Sequence, residues 1–163
     1  MQSTNRIILD TTFVLPFFGI KINLGFNFRE NLKIMWNESR KDFELVLPSI
    51  CLIESFYKLL SEYRDRENFE ILNRYQLILP TILNSKVEIF NPELNQKASL
   101  IAAKIRDIGH PDIMDCWIAA SAVVLNGILL TEDNELKSLL RSIPERKDMK
   151  IWSWNTFRKN FFD

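Results

Sequence analysis

The sequence predicts an α/β fold built on a mostly parallel sheet, and three observations carry that expectation. Short apolar runs of strand length alternate with longer segments of helical periodicity. Two of those runs end alike: Ile7-Ile8-Leu9 meets Asp10-Thr11-Thr12, and Ile128-Leu129-Leu130 meets Thr131-Glu132-Asp133. A helical stretch from Pro111 feeds the second run across an Asn126-Gly127 stop, which makes half of an α/β crossover. In open parallel sheets the binding crevice lies beyond the carboxyl ends of the strands. Both runs therefore deliver carboxylate and threonine to one edge.

The elements follow in order. Residues 6–10 form the first strand, and Phe13–Phe18 begins a helix in which Pro16 suits the first turn. Gly19 to Gly25 is a loop. Asn27 to Lys41 is helical, with an apolar stripe of Phe28, Leu32, Met35 and Trp36. Leu45-Val46-Leu47 is the second strand. Pro48 and Ser49 open a helix with Ser49 as its N-cap. Glu67 to Asn84 is a long helix, kinked or broken at Pro80, and Lys86–Phe90 is the third strand. A helix from Pro92 to near Gly109 leads to the helix that opens at Pro111 and Asp112, and then to strand 128–130. Asn134 caps a short helix to about Arg141. Met149–Trp152 is the last strand, and Trp154–Phe162 a terminal helix.

The size of the chain, 163 residues and 19.2 kDa, predicts one domain over 1–163, with extended helical regions at about 19–43 and 67–84. Apolar residues make up 47%, enough to bury a core, so disorder is not expected. A formal net charge of zero excludes a strongly basic coat; any polyanion must be met by a local patch or by metal ions. Cys51 and Cys116 sit in apolar runs without metal or disulfide spacing and are expected as buried thiols of a reducing cytosol. The longest apolar run, 116–130, is too short for a membrane span. The apolar Thr11–Ile20 follows an aspartate and precedes no clean cleavage site. The protein is expected to be cytoplasmic, with no membrane association.

The candidate site residues are Asp10, Glu54, Asp112, Asp115 and Asp133, with Thr11, Thr12 and Thr131 beside them. Glu54 lies early in a helix that starts at the carboxyl edge of the sheet. Carboxylates that converge repel one another, so they need a cation or raised pKa values. Hard oxygen donors suit Mg²⁺ or Mn²⁺, and paired ions can activate a water and stabilise a leaving oxygen. Each acid alone also has a structural reading. A strand-end aspartate forms turns, Asp112 favours a helix dipole, and Glu54 is a helix residue facing solvent. Glu132 is read as pointing away, and His110, in a Gly-His-Pro turn, as a loop residue. An aspartyl-nucleophile phosphatase would need a second aspartate where Thr12 stands. No G-x-x-x-x-G-K-[ST] loop or G-x-G-x-x-G fingerprint occurs.

In order and spacing these pieces resemble the PIN-domain family, especially its VapC-type toxin ribonucleases. The matching segments are IILDTTFVL (7–15), LPSICLIE (47–54) and DCWIAASAVVLNGILLTED (115–133). The resemblance implies a three-layer α/β/α sandwich around a five-stranded sheet and Mg²⁺- or Mn²⁺-dependent cleavage of RNA phosphodiesters. It places Asp10, Glu54, Asp115 and Asp133 at the family's acids and Thr12 and Thr131 at hydroxyl positions that orient metal or water, and it leaves Asp112 as an additional acid. It also implies an antitoxin partner and a homodimer. Lys137, Arg141, Arg146, Lys147 and Lys150 cluster after the last acid, and Lys137, Arg141 and Lys147 are the candidate substrate-binding residues. The expected function is a metal-dependent endoribonuclease, the toxin of a toxin–antitoxin pair. The alternative is a catalytically silent PIN-like scaffold acting through dimer or partner contacts.

Overall fold

Ile7, Ile8 and Leu9 are fully buried although successive strand residues point to opposite faces. Both faces of their strand are therefore covered, as in a three-layer α/β sandwich. The computed structural model describes residues 5–37, 42–146 and 149–162. Five strands form one sheet: β1 (Asn5–Leu9), β2 (Phe43–Pro48), β3 (Glu88–Phe90), β4 (Ile128–Leu130) and β5 (Ile151–Trp152). Their order is β3-β2-β1-β4-β5, and every pairing is parallel. The sheet is thus wholly parallel among the described residues.

The helices are α1 (Phe28–Asn37), α2 (Ile50–Arg66), α3 (Glu70–Leu83), α4 (Gln96–Asp107), α5 (Ile113–Leu125), α6 (Asn134–Leu140) and α7 (Trp154–Phe161). The expected stripe of α1, from Phe28 to Trp36, is buried. Residues 38–41, the expected end of that helix, lie outside the described residues. No helix is long and apolar enough to cross a membrane among the described residues.

Several local expectations are corrected. The segment after β1 forms two 3-10 turns, Thr11–Phe13 and Leu15–Phe18, instead of an α-helix, and residues 19–27 are not helical. Phe13 in the first turn packs against Phe28 and Trp154 at ring-centroid distances of 6.4 and 5.9 Å, which pins the turn. Pro80 does not break α3, which runs through it and ends three residues later, at Leu83. Ser49 does not cap α2; its Oγ donates instead to Glu93 Oε2 at 2.9 Å. Pro92 opens a 3-10 turn, and Asn95 caps α4. The cap of α6 is Asp133, one residue before the expected Asn134.

The long α5 delivers the chain to β4 through a tight turn. Asn126 takes the left-handed conformation at φ 50°, as helix-ending asparagines do. At Gly127 a Cβ would collide with Ile8 Cδ1 and lie 3.0 Å from the Arg6 carbonyl oxygen. Only a residue without a side chain lets β4 approach β1 here. Gly127→Ala is expected to destabilise the protein by roughly 1–3 kcal/mol through overpacking. Urea unfolding, compared at equal slope, measures this.

Candidate active site

The site follows from the position of β1 at the middle of the sheet. β2 lies on one side of it and β4, reached only after α4 and α5, lies on the other. The chain order reverses there, which makes the carboxyl ends of β1 and β4 the switch point where open parallel sheets form their crevice. Leu9 pairs with Leu130, and the Asp10 amide donates to the Leu130 carbonyl at 3.1 Å. The residues that follow each strand therefore meet.

Asp10 is only 8% exposed, and its Oδ2 accepts from the fully buried Thr131 hydroxyl at 2.6 Å. Thr131 Oγ1 in turn accepts from the Asp133 amide at 3.1 Å. Asp133 Oδ1 accepts from the amides of Glu135 and Leu136 at 2.8 and 2.9 Å, which caps α6. Asp133 thereby has its first oxygen committed to the helix, while Oδ2 faces His110 at 3.9 Å. Glu132 is engaged elsewhere, accepting from the Trp154 amide at 2.6 Å.

Glu54 enters from the second turn of α2. Its Oε2 accepts from the Thr11 hydroxyl at 2.5 Å. Thr11 makes this contact and Thr12 does not; the half-buried Thr12 makes no side-chain hydrogen bond among the described residues. A 3-10 turn turns Thr11 inward, which strand-end counting did not anticipate. Asp115 enters from the first turn of α5, where its Oδ2 meets His110 Nε2 at 3.1 Å. Asp112 is the N-cap of α5, with Oδ1 accepting from the Met114 amide at 2.8 Å.

His110 is the residue that sequence reasoning missed. It is 1% exposed, and its Nε2 lies among the carboxylates. One oxygen each of Asp115 and Asp133 and one His110 nitrogen lie within 4.8 Å of one another. A spacing of five residues before Asp115 was the only available signal, and it depends on a turn whose geometry no local rule supplies.

The electrostatics agree with convergence. Burial pushes the Asp10 carboxyl up to about 7; the Thr131 hydroxyl opposes this, while Asp115 and Glu54 add to it. Burial also raises Glu54, opposed by the Thr11 hydroxyl and Lys58 and reinforced by Asp115. Burial raises Asp115, with His110 opposing and Asp112 and Asp133 reinforcing. These hard-oxygen donors, crowded and partly buried, fit a divalent cation: its charge would offset the burial and the repulsion that together raise their pKa values.

Among the basic residues expected to hold substrate, Lys137 and Arg141 line a cleft of about 360 Å³ with Lys150 and Trp152, beside β5. Lys147 lies outside the described residues. A second group stands nearer Glu54. Lys58, one turn further along α2, lines a cleft of about 560 Å³ with Lys21, Arg66 and Arg74. Both cysteines are free and buried, and Cys51 Sγ donates to the Leu9 carbonyl beneath Asp10 at 3.5 Å.

Comparison with known proteins adds the family. The model described as PIN domain matches residues 7–140. No curated protein gave a significant match. Three solved structures share the fold. A chain of VapBC2 from Rickettsia felis, bound to a promoter DNA fragment, has 18% identity and a TM-score of 0.60, covering 91% of this chain and 98% of that one. A chain of DNA-bound VapBC from Salmonella typhimurium has 20% identity and a TM-score of 0.57, covering 93% and 99%. A chain of VapBC-1 from nontypeable Haemophilus influenzae has 19% identity and a TM-score of 0.53, covering 92% and 98%.

The raised pKa of Asp10 bears on stability. It is higher in the folded than in the unfolded chain, so the stabilising contribution is complete below about 4 and is lost as pH rises through about 7. In EDTA, Asp10→Asn is expected to unfold at a higher temperature than wild type at pH 7.5, by roughly 2–4 kcal/mol in stability, with the difference shrinking toward pH 4.5. Mg²⁺ should raise the wild-type melting temperature and leave the variant nearly unchanged. Thermal melts across pH, with and without metal, check both.

Proposed function

The chain belongs to the PIN-domain family, and from that premise we propose that it is a Mg²⁺- or Mn²⁺-dependent endoribonuclease acting in the cytoplasm as the toxin of a toxin–antitoxin pair. The observation that carries the catalytic reading is the convergence of Asp10, Glu54, Asp115 and Asp133 on one crevice, with Asp10 buried and its carboxyl pushed up to about 7. Asp115 and Glu54 add to the rise at Asp10, Asp115 adds to that at Glu54, and Asp133 adds to that at Asp115, the mutual crowding that functional acids show.

Asp10, Glu54 and Asp115 are the residues that would hold the cation, and Asp133 would complete the set through Oδ2. A bound divalent cation would polarise the phosphoryl group and lower the pKa of an attacking water. The chain supplies orientation. Thr131 fixes the Asp10 carboxylate and Thr11 fixes that of Glu54, so neither must reorganise when substrate arrives. Asp112, with one oxygen used as a helix cap, adds negative potential at the mouth. Thr12, half-buried beside the acids, remains available to a water or phosphate oxygen.

RNA enters this reading as a polyanion that an overall neutral chain must meet locally. Lys58 and Lys21, on the Glu54 side, would take backbone phosphates next to the scissile one. Lys137 and Arg141 would hold a more distant part of the strand. The toxin role and an antitoxin partner are supported by the VapC-like motifs and by the fold shared with chains of three VapBC assemblies. Exposed Ile53, Phe56 and Tyr57 on α2, with Phe69 just before α3 and Leu77 on it, offer apolar surface for a homodimer or that partner.

The decisive assay is cleavage of a mixed structured and single-stranded RNA pool with Mg²⁺ or Mn²⁺ and with EDTA. Wild type should cut only with metal, and Asp10→Asn should be slower by at least 100-fold, roughly the effect of removing one transition-state interaction of this kind. Cleavage by wild type and Asp10→Asn at equal rates would sink the proposal. No cleavage, together with tight binding of a partner protein, would favour a silent scaffold. Lys58→Glu should weaken RNA binding and flatten its salt dependence, by about one unit of slope for each phosphate no longer held.

A further inference from the structure

His110 holds a position that neither the family's acids nor the proposed mechanism explains. Its side chain is 2% exposed, and Nε2 lies 3.1 Å from Asp115 Oδ2 but 3.9 Å from Asp133 Oδ2. The backbone fixes it from both sides. The His110 amide donates to the Ile105 carbonyl at 3.4 Å, and its carbonyl accepts from Arg106 Nη1 at 2.7 Å. Gly109 at φ +115° makes the turn that swings the ring inward, a conformation open chiefly to glycine.

The second ring nitrogen decides what the first one does. Nδ1 is buried and has no hydrogen-bond partner among the described residues. A buried N–H without an acceptor is rarer in proteins than a lone pair without a donor, so Nδ1 is the bare nitrogen. The proton then sits on Nε2, which matches its contact with an ionised carboxylate, a group that only accepts. An Nε2–H cannot ligate a cation. Histidines that do ligate metals almost always donate their other N–H to a carboxylate, carbonyl or water, and no carboxylate or carbonyl among the described residues meets Nδ1. The closeness of His110, Asp115 and Asp133 therefore does not make the imidazole a ligand.

We infer that His110 is a positioning residue: its Nε2–H ties down Asp115 Oδ2 and leaves Oδ1 of that carboxylate free for the cation. The inference rests on the reading that the acids hold a divalent metal. The bond selects one oxygen of Asp115, in the same way that Thr131 selects one of Asp10 and Thr11 one of Glu54. The ring also places a donor between Asp115 and Asp133, whose charges otherwise oppose each other.

His110 is the only histidine in the chain, so nitrogen-labelled histidine gives a spectrum of one imidazole. Heteronuclear NMR on the full chain should find the proton on Nε2 and Nδ1 bare, both in EDTA and at saturating Mg²⁺. A proton on Nδ1, or loss of the Nε2 proton when Mg²⁺ is added, overturns the inference. Calorimetric Mn²⁺ titration without RNA supplies the second arm. H110Q, whose amide nitrogen reaches the place of Nε2, should bind within about threefold of wild type, while H110L should bind about 10- to 100-fold more weakly. A folded H110Q that binds as weakly as H110L makes the imidazole itself a ligand and overturns the inference. Should H110L fail to fold, the spectrum and H110Q still decide. Wild type that binds no Mn²⁺ refutes the metal-dependent reading, while the spectrum tests the His110–Asp115 bond regardless.

Discussion

A carboxylate buried at the end of the central strand is the constraint on which the rest depends. Asp10 cannot retreat to solvent, because β1 is paired on both sides and its turn is pinned by Phe13 against Phe28 and Trp154. Removing a charged carboxyl from water is costly unless it is paired, hydrogen-bonded or neutralised. The protein answers first with the Thr131 hydroxyl, brought alongside by the β1–β4 pairing. That answer is incomplete, as the pKa near 7 records. A site built around an incompletely satisfied charge favours any cation that reaches it.

The other acids obey a common rule. Each is held through one oxygen by a donor from another part of the fold or from its own helix end. Thr11 holds Glu54 Oε2, His110 holds Asp115 Oδ2, and the α6 amides hold Asp133 Oδ1. Fixed in this way, the carboxylates lose little freedom when a ligand binds. The helices contribute by where they begin. α2 and α5 each present an acid from an early turn, at the edge where strands end and helix N-termini gather. Gly127, by letting β4 approach β1, links this geometry to the packing of the core.

Charge is partitioned over the surface in a way the zero total conceals. The acids occupy the crevice, while Lys21 and Lys58 stand on one flank and Lys137, Arg141 and Lys150 line a separate cleft beside β5. On the proposed reading, such a division would let a polyanion be held by its flanks while its centre enters an acidic site with a cation.

The class of fold, the parallel sheet and the placing of Asp10 and Thr131 at one sheet edge were legible because they depend on local rules. Short apolar runs ending in Asp10 and Thr131, a helix stopped at Asn126, and Glu54 early in a helix are set by periodicity and by turn chemistry. Cap identity was harder: Ser49 yields to a contact with Glu93 forty-four residues away, and Asp133 caps where Asn134 was expected. What only the tertiary structure decided is which donor meets which acid. Thr11 meets Glu54 because a 3-10 turn rotates the chain after β1, and His110 joins Asp115 because the turn at Gly109 folds a loop residue inward. Sequence specifies elements through interactions between near neighbours, whereas a hydrogen bond across the crevice depends on where whole elements come to rest.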